Sequence, residues 1–437
     1  MKILLIKPRW FVKGGVYRYL EKIKFTPLHI AIIAALSKGH NVKLVDNDWE
    51  NIPYEEHFDL VGITTTTFTS ERVYQIAQHF RTKGSKVVLG GVHPTLMSEE
   101  CLKYADAVVV GEAEYVWPEL LKDMAEGHLK KIYHHPEPVN MDDVPFPRRD
   151  LLNEDYRVAT VQATRGCPNH CSFCYLPNMP WATYRKRNIN MVYEELKQLK
   201  QQVVFFVDDN LFADEEYVIE LCERIAPLKK IWSVQAPMNI AYNDRLLRKM
   251  KEAGCFHVQI GFQTVNPRSL EWATIRQNKI EKYKFVVNRL HKYGILVVGF
   301  FIFGFDYDDK QIFPRTLETI NEMDLDDAYL YILTPYPGTK LYDKLKQGNR
   351  LLAGKDRSHY GWANAVFVPR LMTAQELEQG VQEMYEKLYQ YFRKKAPFKI
   401  FRRIGLFFRH PHILKLVIEG TIQKVDISRQ VSFDKLR

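Results

Sequence analysis

Residues 165–175 read Arg-Gly-Cys-Pro-Asn-His-Cys-Ser-Phe-Cys-Tyr and follow an apolar, β-prone run from Tyr156 to Thr164. Three of the chain's six cysteines, Cys167, Cys171 and Cys174, fall here with the spacing C-x3-C-x2-C. That spacing lets a short loop wrap three thiolates around one face of an iron–sulfur cube. A zinc site wants four nitrogen or sulfur ligands, and a ferredoxin-type cluster uses four cysteines. No fourth cysteine lies nearby, so three thiolates leave one iron open to a small molecule. The bland alternative is three buried or disulfide-linked cysteines in an ordinary loop.

The spacing, the aromatic Phe173 before the third cysteine and the preceding strand together resemble the radical SAM enzymes. The resemblance implies a [4Fe-4S] cluster held by Cys167, Cys171 and Cys174. Its open iron would chelate the amino and carboxylate groups of S-adenosylmethionine. It also implies an external electron donor of the flavodoxin or ferredoxin type. Reduction would cleave the sulfonium to a 5′-deoxyadenosyl radical able to take hydrogen from unactivated carbon.

Downstream of the loop, strand and helix signals alternate. Val203–Val207, Trp232–Ala236, His257–Phe262, Leu296–Phe303 and Ala328–Leu333 read as strands, joined by amphipathic helical stretches. With Val158–Thr164 they make six βα units, which predicts a partial barrel rather than the full eight. Chemistry in parallel barrels gathers at the C-terminal strand ends, where Asp208, Asp209, Asn210, Gln263 and Gly304 all fall. The radical SAM resemblance extends over residues 156–340 and implies roles there. Asp208, Asp209 and Asn210 would lie near the cationic amine of S-adenosylmethionine. Gln263 stands where the family carries an acid, and Ile302, Phe303 and Gly304 would pack the adenine, with the backbone beside Phe173 also touching it. Cys101, Cys222 and Cys255 read as buried bystanders, and Asp306, Asp308 and Asp309 as loop and capping acids.

Upstream, Lys2–Ile6, Val42–Val45, Leu60–Thr64, Val87–Leu89 and Ala107–Val110 alternate with helical patterns, the signature of a doubly wound parallel sheet. Ligands in such sheets bind outside the carboxyl ends of the strands. Successive strand ends carry small or hydroxylated residues: Thr64, Thr65, Thr66 and Thr67, then Gly90 and Gly91, then Gly111 and Glu112. They form either a binding edge for a large flat ligand or ordinary βα turns. The stretches Asp59–Ile63, Gly90–Thr95 and Gly111–Glu114 resemble the cobalamin-binding domain of B12-dependent radical SAM proteins, which implies a corrin at this edge. The Asp-x-His-x-x-Gly motif that supplies a cobalt-ligating histidine is absent, and His93 precedes Pro94. A bound cobalamin would therefore have no protein histidine beneath the metal.

Residues 134–150 hold four prolines and read as a linker with loop histidines His134 and His135. The expected organisation is α/β: a Rossmann-like cobalamin-binding-type domain (1–130), a linker (131–152), a partial (β/α)6 radical SAM barrel (153–345) and a mostly helical C-terminal region (346–437). A capping-box spacing at Thr373–Glu376 opens the last helix. From Arg393 to Lys415 cations alternate with aromatic and aliphatic residues without an acid. That segment packs on the barrel or touches an anionic membrane surface.

Across the 437 residues the composition is 46% hydrophobic and the formal net charge is +10. The longest apolar runs fall short of the ~18 residues a spanning helix needs. The apolar core after Met1 is ended by Lys7 and Pro8, too short for a signal peptide. These features and an oxygen-sensitive cluster predict a cytoplasmic enzyme, peripheral to a membrane at most. The leading expectation is cobalamin-dependent methylation of an sp3 carbon of a small-molecule or lipid substrate. Competing expectations are oxidative cyclisation or rearrangement without methyl transfer, and RNA modification. The last is disfavoured, and no nucleic acid is expected, because further cluster cysteines and an added RNA-binding barrel are missing.

Overall fold

The computed structural model describes residues 1–9 and 25–409. Two six-stranded parallel sheets organise them. The first consists of β1 (Lys2–Lys7), β2 (Asn41–Asp46), β3 (Leu60–Thr64), β4 (Lys86–Gly90), β5 (Ala107–Val110) and β6 (Ile132–His134), in the order β2-β1-β3-β4-β5-β6. β1 is buried along its centre, as an apolar strand covered on both faces must be. The helix Leu28–Leu36 is apolar nearly all round because it is sandwiched between this sheet and Val139, Met141 and Val144 of the following connection. The order places the topological switch, and so the crevice, between β1 and β3, with the ends of β4 and β5 continuing the same edge.

β6 is a correction. Ile132–His134 pairs in parallel with β5, although the proline-rich stretch reads as linker from residue 131. The first proline is Pro136, so the ladder forms before the missing N–H groups begin. His134 accordingly sits on a strand, with Nδ1 3.2 Å from the Val110 carbonyl.

The second sheet contains β7 (Val158–Val161), then, after the short antiparallel pair β8 (Thr164–Arg165) and β9 (Arg185–Lys186), β10 (Val203–Phe206), β11 (Ile231–Ala236), β12 (Cys255–Gln263), β13 (Leu296–Phe303) and β14 (Asp327–Ile332). Its order, β14-β13-β12-β11-β10-β7, is the chain order, so each crossover advances by one strand and the sheet curls as an open barrel. Several βα loops end in a polar cap: Asn188, Asp214, Asn243 and Asn266 each accept a hydrogen bond from the first turn of the helix they precede. These caps hold the helices on the outer face. The alternating burial of β12, β13 and β14 leaves Gln259, Gly261, Gln263, Phe300, Ile302, Tyr329 and Tyr331 half-buried on the concave side.

The two sheets are joined directly. Thr26 donates its N–H to the Val158 carbonyl at 3.1 Å, and Thr160 returns a backbone N–H to Thr26 Oγ1 at 2.8 Å. Tyr156 donates its hydroxyl to Asp46 at 2.8 Å. The helix Ala374–Arg409 closes the far edge. Thr373 and Glu376 form the reciprocal capping box, and Leu377, Val381, Met384 and Leu388 are buried. Of the basic segment starting at Arg393, the backbone is helical through Arg409 and the rest lies outside the described residues. No helix among the described residues is long and apolar enough to cross a membrane.

Candidate active site

The cysteine loop leaves β8 at its C-terminal end and returns through β9. Gly166 makes this possible: its φ is 86°, and a Cβ there would sit 2.3 Å from the Thr183 carbonyl oxygen. The Cys167 N–H then donates to the Ala182 carbonyl at 3.1 Å and the Cys174 N–H to that of Cys171 at 3.1 Å. All three cysteines are free thiols and half-buried. Phe173, half-buried between two of them, meets buried Phe305 edge-on at 6.1 Å. Cys101, Cys222 and Cys255 are buried away from this loop in the two cores.

Burial raises the Cys171 thiol and pushes that of Cys174 up to about 12. Thiols so placed become ligands when a metal displaces the proton. Two amides are aimed at the sulfurs: Asn210 Nδ2 lies 3.6 Å from Cys167 Sγ and Gln277 Nε2 4.0 Å from Cys171 Sγ. Among the described residues, no three Cys, His, Asp or Glu side chains converge on a single ion. Three thiolates on one loop are a ligand set for a polynuclear cluster, in which each would take a different iron.

The end of β10 supplies the polar wall. Asp208 Oδ1 accepts from the Ala163 N–H (3.0 Å), the Thr164 N–H and the Thr164 hydroxyl (2.7 Å). This oxygen holds the entry to the cysteine loop instead of facing a ligand, which corrects half of the expectation for Asp208. Its other oxygen, Oδ2, and Asn210 Oδ1 are buried acceptors without a partner among the described residues. Burial, only partly offset by the Thr164 and Ala163 donors, raises Asp208 to about 7. Asp209 accepts from the Gly166 N–H at 2.8 Å, and burial raises it too. Gln263 ends β12 at a bulge with φ 67°, a conformation that a non-glycine residue holds only when its surroundings impose it.

Two expectations fail on β13. Phe303 points outward, 1% exposed, and stacks on Phe313 of the helix Ile312–Met323 at 5.4 Å. The two-residue period of the strand leaves Ile302, of the same expected segment, on the concave side. Gly304 does allow a close approach, but to Leu377: an added Cβ would lie 2.8 Å from that side chain and 3.2 Å from Phe367.

On the first sheet, Thr64, Thr66, Gly90, Gly91 and Gly111 line the strand-end edge and are partly exposed. Thr65 is not available there, because it is fully buried with its N–H on the Gly90 carbonyl at 2.8 Å. Glu112 is also corrected: its carboxylate accepts from Arg165 (2.7 Å), Arg185 (2.9 Å) and the Val139 N–H (2.8 Å), while Glu114 accepts from Arg165 at 2.6 Å. Burial alone would lower the Arg165 guanidinium, and the two glutamates outweigh it and hold it up. This four-charge clamp joins the end of β5 to the residue that opens the cysteine loop. Sequence spacing cannot reveal it, since the partners are some fifty residues apart. His93 is fully buried, with Nε2 3.0 Å from the Tyr74 hydroxyl, so this histidine does not reach the edge. Small side chains along this edge leave room for a corrin, and His134 Nδ1 lies beside Gly111, 3.7 Å from where a Cβ would sit.

An aromatic column connects the two edges. Phe300 lies 5.4 Å from Tyr329 and 5.6 Å from Tyr331, Tyr331 lies 5.8 Å from Trp362, and Trp362 lies 5.6 Å from Phe68, which directly follows Thr64–Thr67. None of Phe68, Phe300, Tyr329, Tyr331 or Trp362 stands out by motif, although period-two alternation on β13 and β14 would have put Phe300, Tyr329 and Tyr331 on one face.

A three-cysteine loop at the mouth of an open six-stranded parallel barrel, faced by the crevice of a doubly wound sheet, defines the architecture of a radical SAM enzyme with an added nucleotide- or corrin-binding sheet. Residues 161–320 match the radical SAM superfamily and residues 24–121 the B12 binding domain. The chain is 30% identical over 379 residues to bacteriochlorophyllide d C-12(1)-methyltransferase of Chlorobaculum tepidum, covering 83% of this chain and 82% of that one. It is 27% identical over 329 residues to bacteriochlorophyllide d C-8(2)-methyltransferase of the same organism, covering 70% and 73%. Its fold matches the cobalamin-dependent S-adenosylmethionine radical enzyme OxsB with aqua-cobalamin and S-adenosylmethionine bound (TM-score 0.68, 14% identity, 98% of this chain and 75% of that one). The chain belongs to the B12-binding-domain radical SAM enzymes. It is a radical SAM enzyme that uses a [4Fe-4S] cluster, S-adenosylmethionine and cobalamin, with methyl transfer as its reaction, and it requires a reductant and a small-molecule substrate.

Proposed function

We propose that this enzyme methylates an sp3 carbon on the periphery of a flat, largely apolar tetrapyrrole. Cys167, Cys171 and Cys174 hold the cluster, with Asn210 and Gln277 donating to two of the sulfurs. Asp208 Oδ2 and Asn210 Oδ1 accept from the amine of S-adenosylmethionine, which brings three donors to two buried acceptors that lack one. Thr64, Thr66, Gly90, Gly91 and Gly111 carry the corrin at the edge of the first sheet. When bound, these groups supply a hydrogen-abstracting radical on one side of the substrate and a transferable methyl on the other. The protein's part is to hold the substrate carbon between the two edges and keep water out.

The observation that carries the reading is Asn210, whose Nδ2 lies 3.6 Å from Cys167 Sγ while its Oδ1 is a buried acceptor without a partner among the described residues. The tetrapyrrole rests on the names of the two Chlorobaculum relatives and on the apolar, half-buried wall that Phe300, Tyr329 and Tyr331 give the concave side. Protein reconstituted with cluster and cobalamin should transfer a trideuteromethyl group from labelled S-adenosylmethionine to a bacteriochlorophyllide d precursor. Formation of 5′-deoxyadenosine with an unlabelled, oxidised product would favour cyclisation or rearrangement instead.

A further inference from the structure

The segment that follows the helix Pro267–Trp272 is fastened to the cysteine loop at three points. The Ser172 N–H donates to the Ala273 carbonyl at 3.0 Å, the Thr274 hydroxyl donates to the His170 carbonyl at 2.6 Å, and Gln277 reaches Cys171 Sγ. Asn278 then anchors to β12, donating to the Gly261 and Phe262 carbonyls at 2.8 Å each. Beyond this rigid stitching the chain emerges at the surface with Arg276, Lys279, Lys282 and Lys284, all exposed and none in an ion pair among the described residues. Glu281 is the one acid among them, and nearby Asp244 is already neutralised by Arg289. On the same face Tyr242 (50% exposed) and Phe285 (44% exposed) stack at 5.7 Å. Among the described residues, this is the one ring stack in which both partners are exposed large hydrophobics.

An exposed aromatic pair on a segment that carries four exposed, unpaired cations and the single acid Glu281 is a composition suited to an interface with an acidic partner. We propose that the face of Arg276, Lys279, Lys282, Lys284, Tyr242 and Phe285 docks an acidic one-electron carrier protein and thereby brings it to the Cys171 side of the loop. This rests on the radical SAM reading, because only a redox centre held by the cysteines gives the carrier something to reduce. The carrier's flavin or iron–sulfur group is oxidised by one electron and the cysteine-held cluster is reduced by one. No covalent bond forms between the proteins. A nucleic acid or a membrane would also be drawn to cations, but neither uses a patch this small fused to a cysteine ligand loop.

The test uses the full, reconstituted protein and an acidic bacterial flavodoxin. Oxidised flavodoxin should bind it, with affinity falling on raising salt from about 50 to about 200 mM as exposed charges are screened. The triple reversal Lys279→Glu, Lys282→Glu, Lys284→Glu should weaken binding by at least about tenfold. It should slow flavodoxin-driven formation of 5′-deoxyadenosine in parallel and leave the dithionite-driven rate unchanged. Tyr242→Ala with Phe285→Ala, which keeps every charge, should weaken binding with less salt dependence. Unchanged flavodoxin affinity in both variants overturns the proposal, as does binding of RNA or anionic vesicles at this face without flavodoxin. Loss of the dithionite-driven rate in the variants also overturns it, by assigning these residues to the cluster or the fold. Absence of 5′-deoxyadenosine from the unmodified protein with dithionite would instead sink the radical SAM reading itself.

Discussion

Asn210 has two polar ends and the structure uses one of them. Nδ2 points at Cys167 Sγ, while Oδ1 is buried without a donor among the described residues. Partners one step removed from a metal typically cost about 10–100-fold in metal affinity or activity when removed. Asn210→Ala should therefore lower S-adenosylmethionine cleavage by about that range while the cluster absorbance survives, read by comparing 5′-deoxyadenosine rates with iron content. If the variant retains full rate, the orphaned acceptor is not a ligand position. Asp308 shows the same physics without chemistry. It accepts from the Gly304 and Phe305 N–H groups and the Ser269 hydroxyl, yet burial dominates and raises it to about 6. A carboxyl raised in the folded state binds its proton more tightly there than in the unfolded chain, so stability falls as pH rises from about 4 to about 6. The shift corresponds to an effect on the order of 3 kcal/mol. Asp308→Asn, which can keep both backbone donors on its oxygen and donate to the Ser269 hydroxyl from its nitrogen, should flatten this part of the urea-midpoint profile against pH; a profile identical to that of the parent would contradict it.

At the scale of elements, Gly304 joins β13 to the C-terminal helix. Its φ of 101° and the 2.8 Å separation between an added Cβ and the Leu377 side chain make Gly304→Ala doubly unfavourable, costing about 2–4 kcal/mol. Adding Leu377→Ala should recover part of that cost by removing the clash but not the strain, measurable as a double-mutant cycle in urea. This glycine also marks where sequence reading runs out. All six barrel strands and five strands of the first sheet are legible from apolar runs bounded by turn residues, because burial dictates both. Which neighbour a glycine admits is decided by the helix packed over it, and that helix begins some seventy residues later. Phe303 misleads for a related reason: a strand-end aromatic reads alike on either face, and the register that turns it toward Phe313 is a property of the assembled sheet. Cys167, Cys171 and Cys174 are legible because their chemistry is local to one loop. The aromatic column is not, because it draws on β13, β14, the loop at Trp362 and the first sheet together.

At the scale of the molecule, the two sheets meet where the cofactors must. The clamp of Glu112 and Glu114 on Arg165 and Arg185 ties the crevice of the first sheet to the start of the cysteine loop. Buried pairs are costly to break from one side, about 3–5 kcal/mol, because the remaining charge is stranded. Glu112→Gln should thus lower the urea midpoint and loosen the cysteine loop, seen as faster loss of iron to a chelator. A variant as resistant to chelation as the parent would show that the sheets are coupled elsewhere, for example through Thr26 and Thr160. With cluster, S-adenosylmethionine and cobalamin bound, this junction would couple hydrogen abstraction to methyl transfer on one substrate. Each methylation then consumes one S-adenosylmethionine for hydrogen abstraction and another as methyl source. The direct measurement is the ratio of products from the reconstituted enzyme under anaerobic turnover with substrate. Equal amounts of 5′-deoxyadenosine and S-adenosylhomocysteine, rising together, are predicted; 5′-deoxyadenosine accumulating with no S-adenosylhomocysteine would contradict the account.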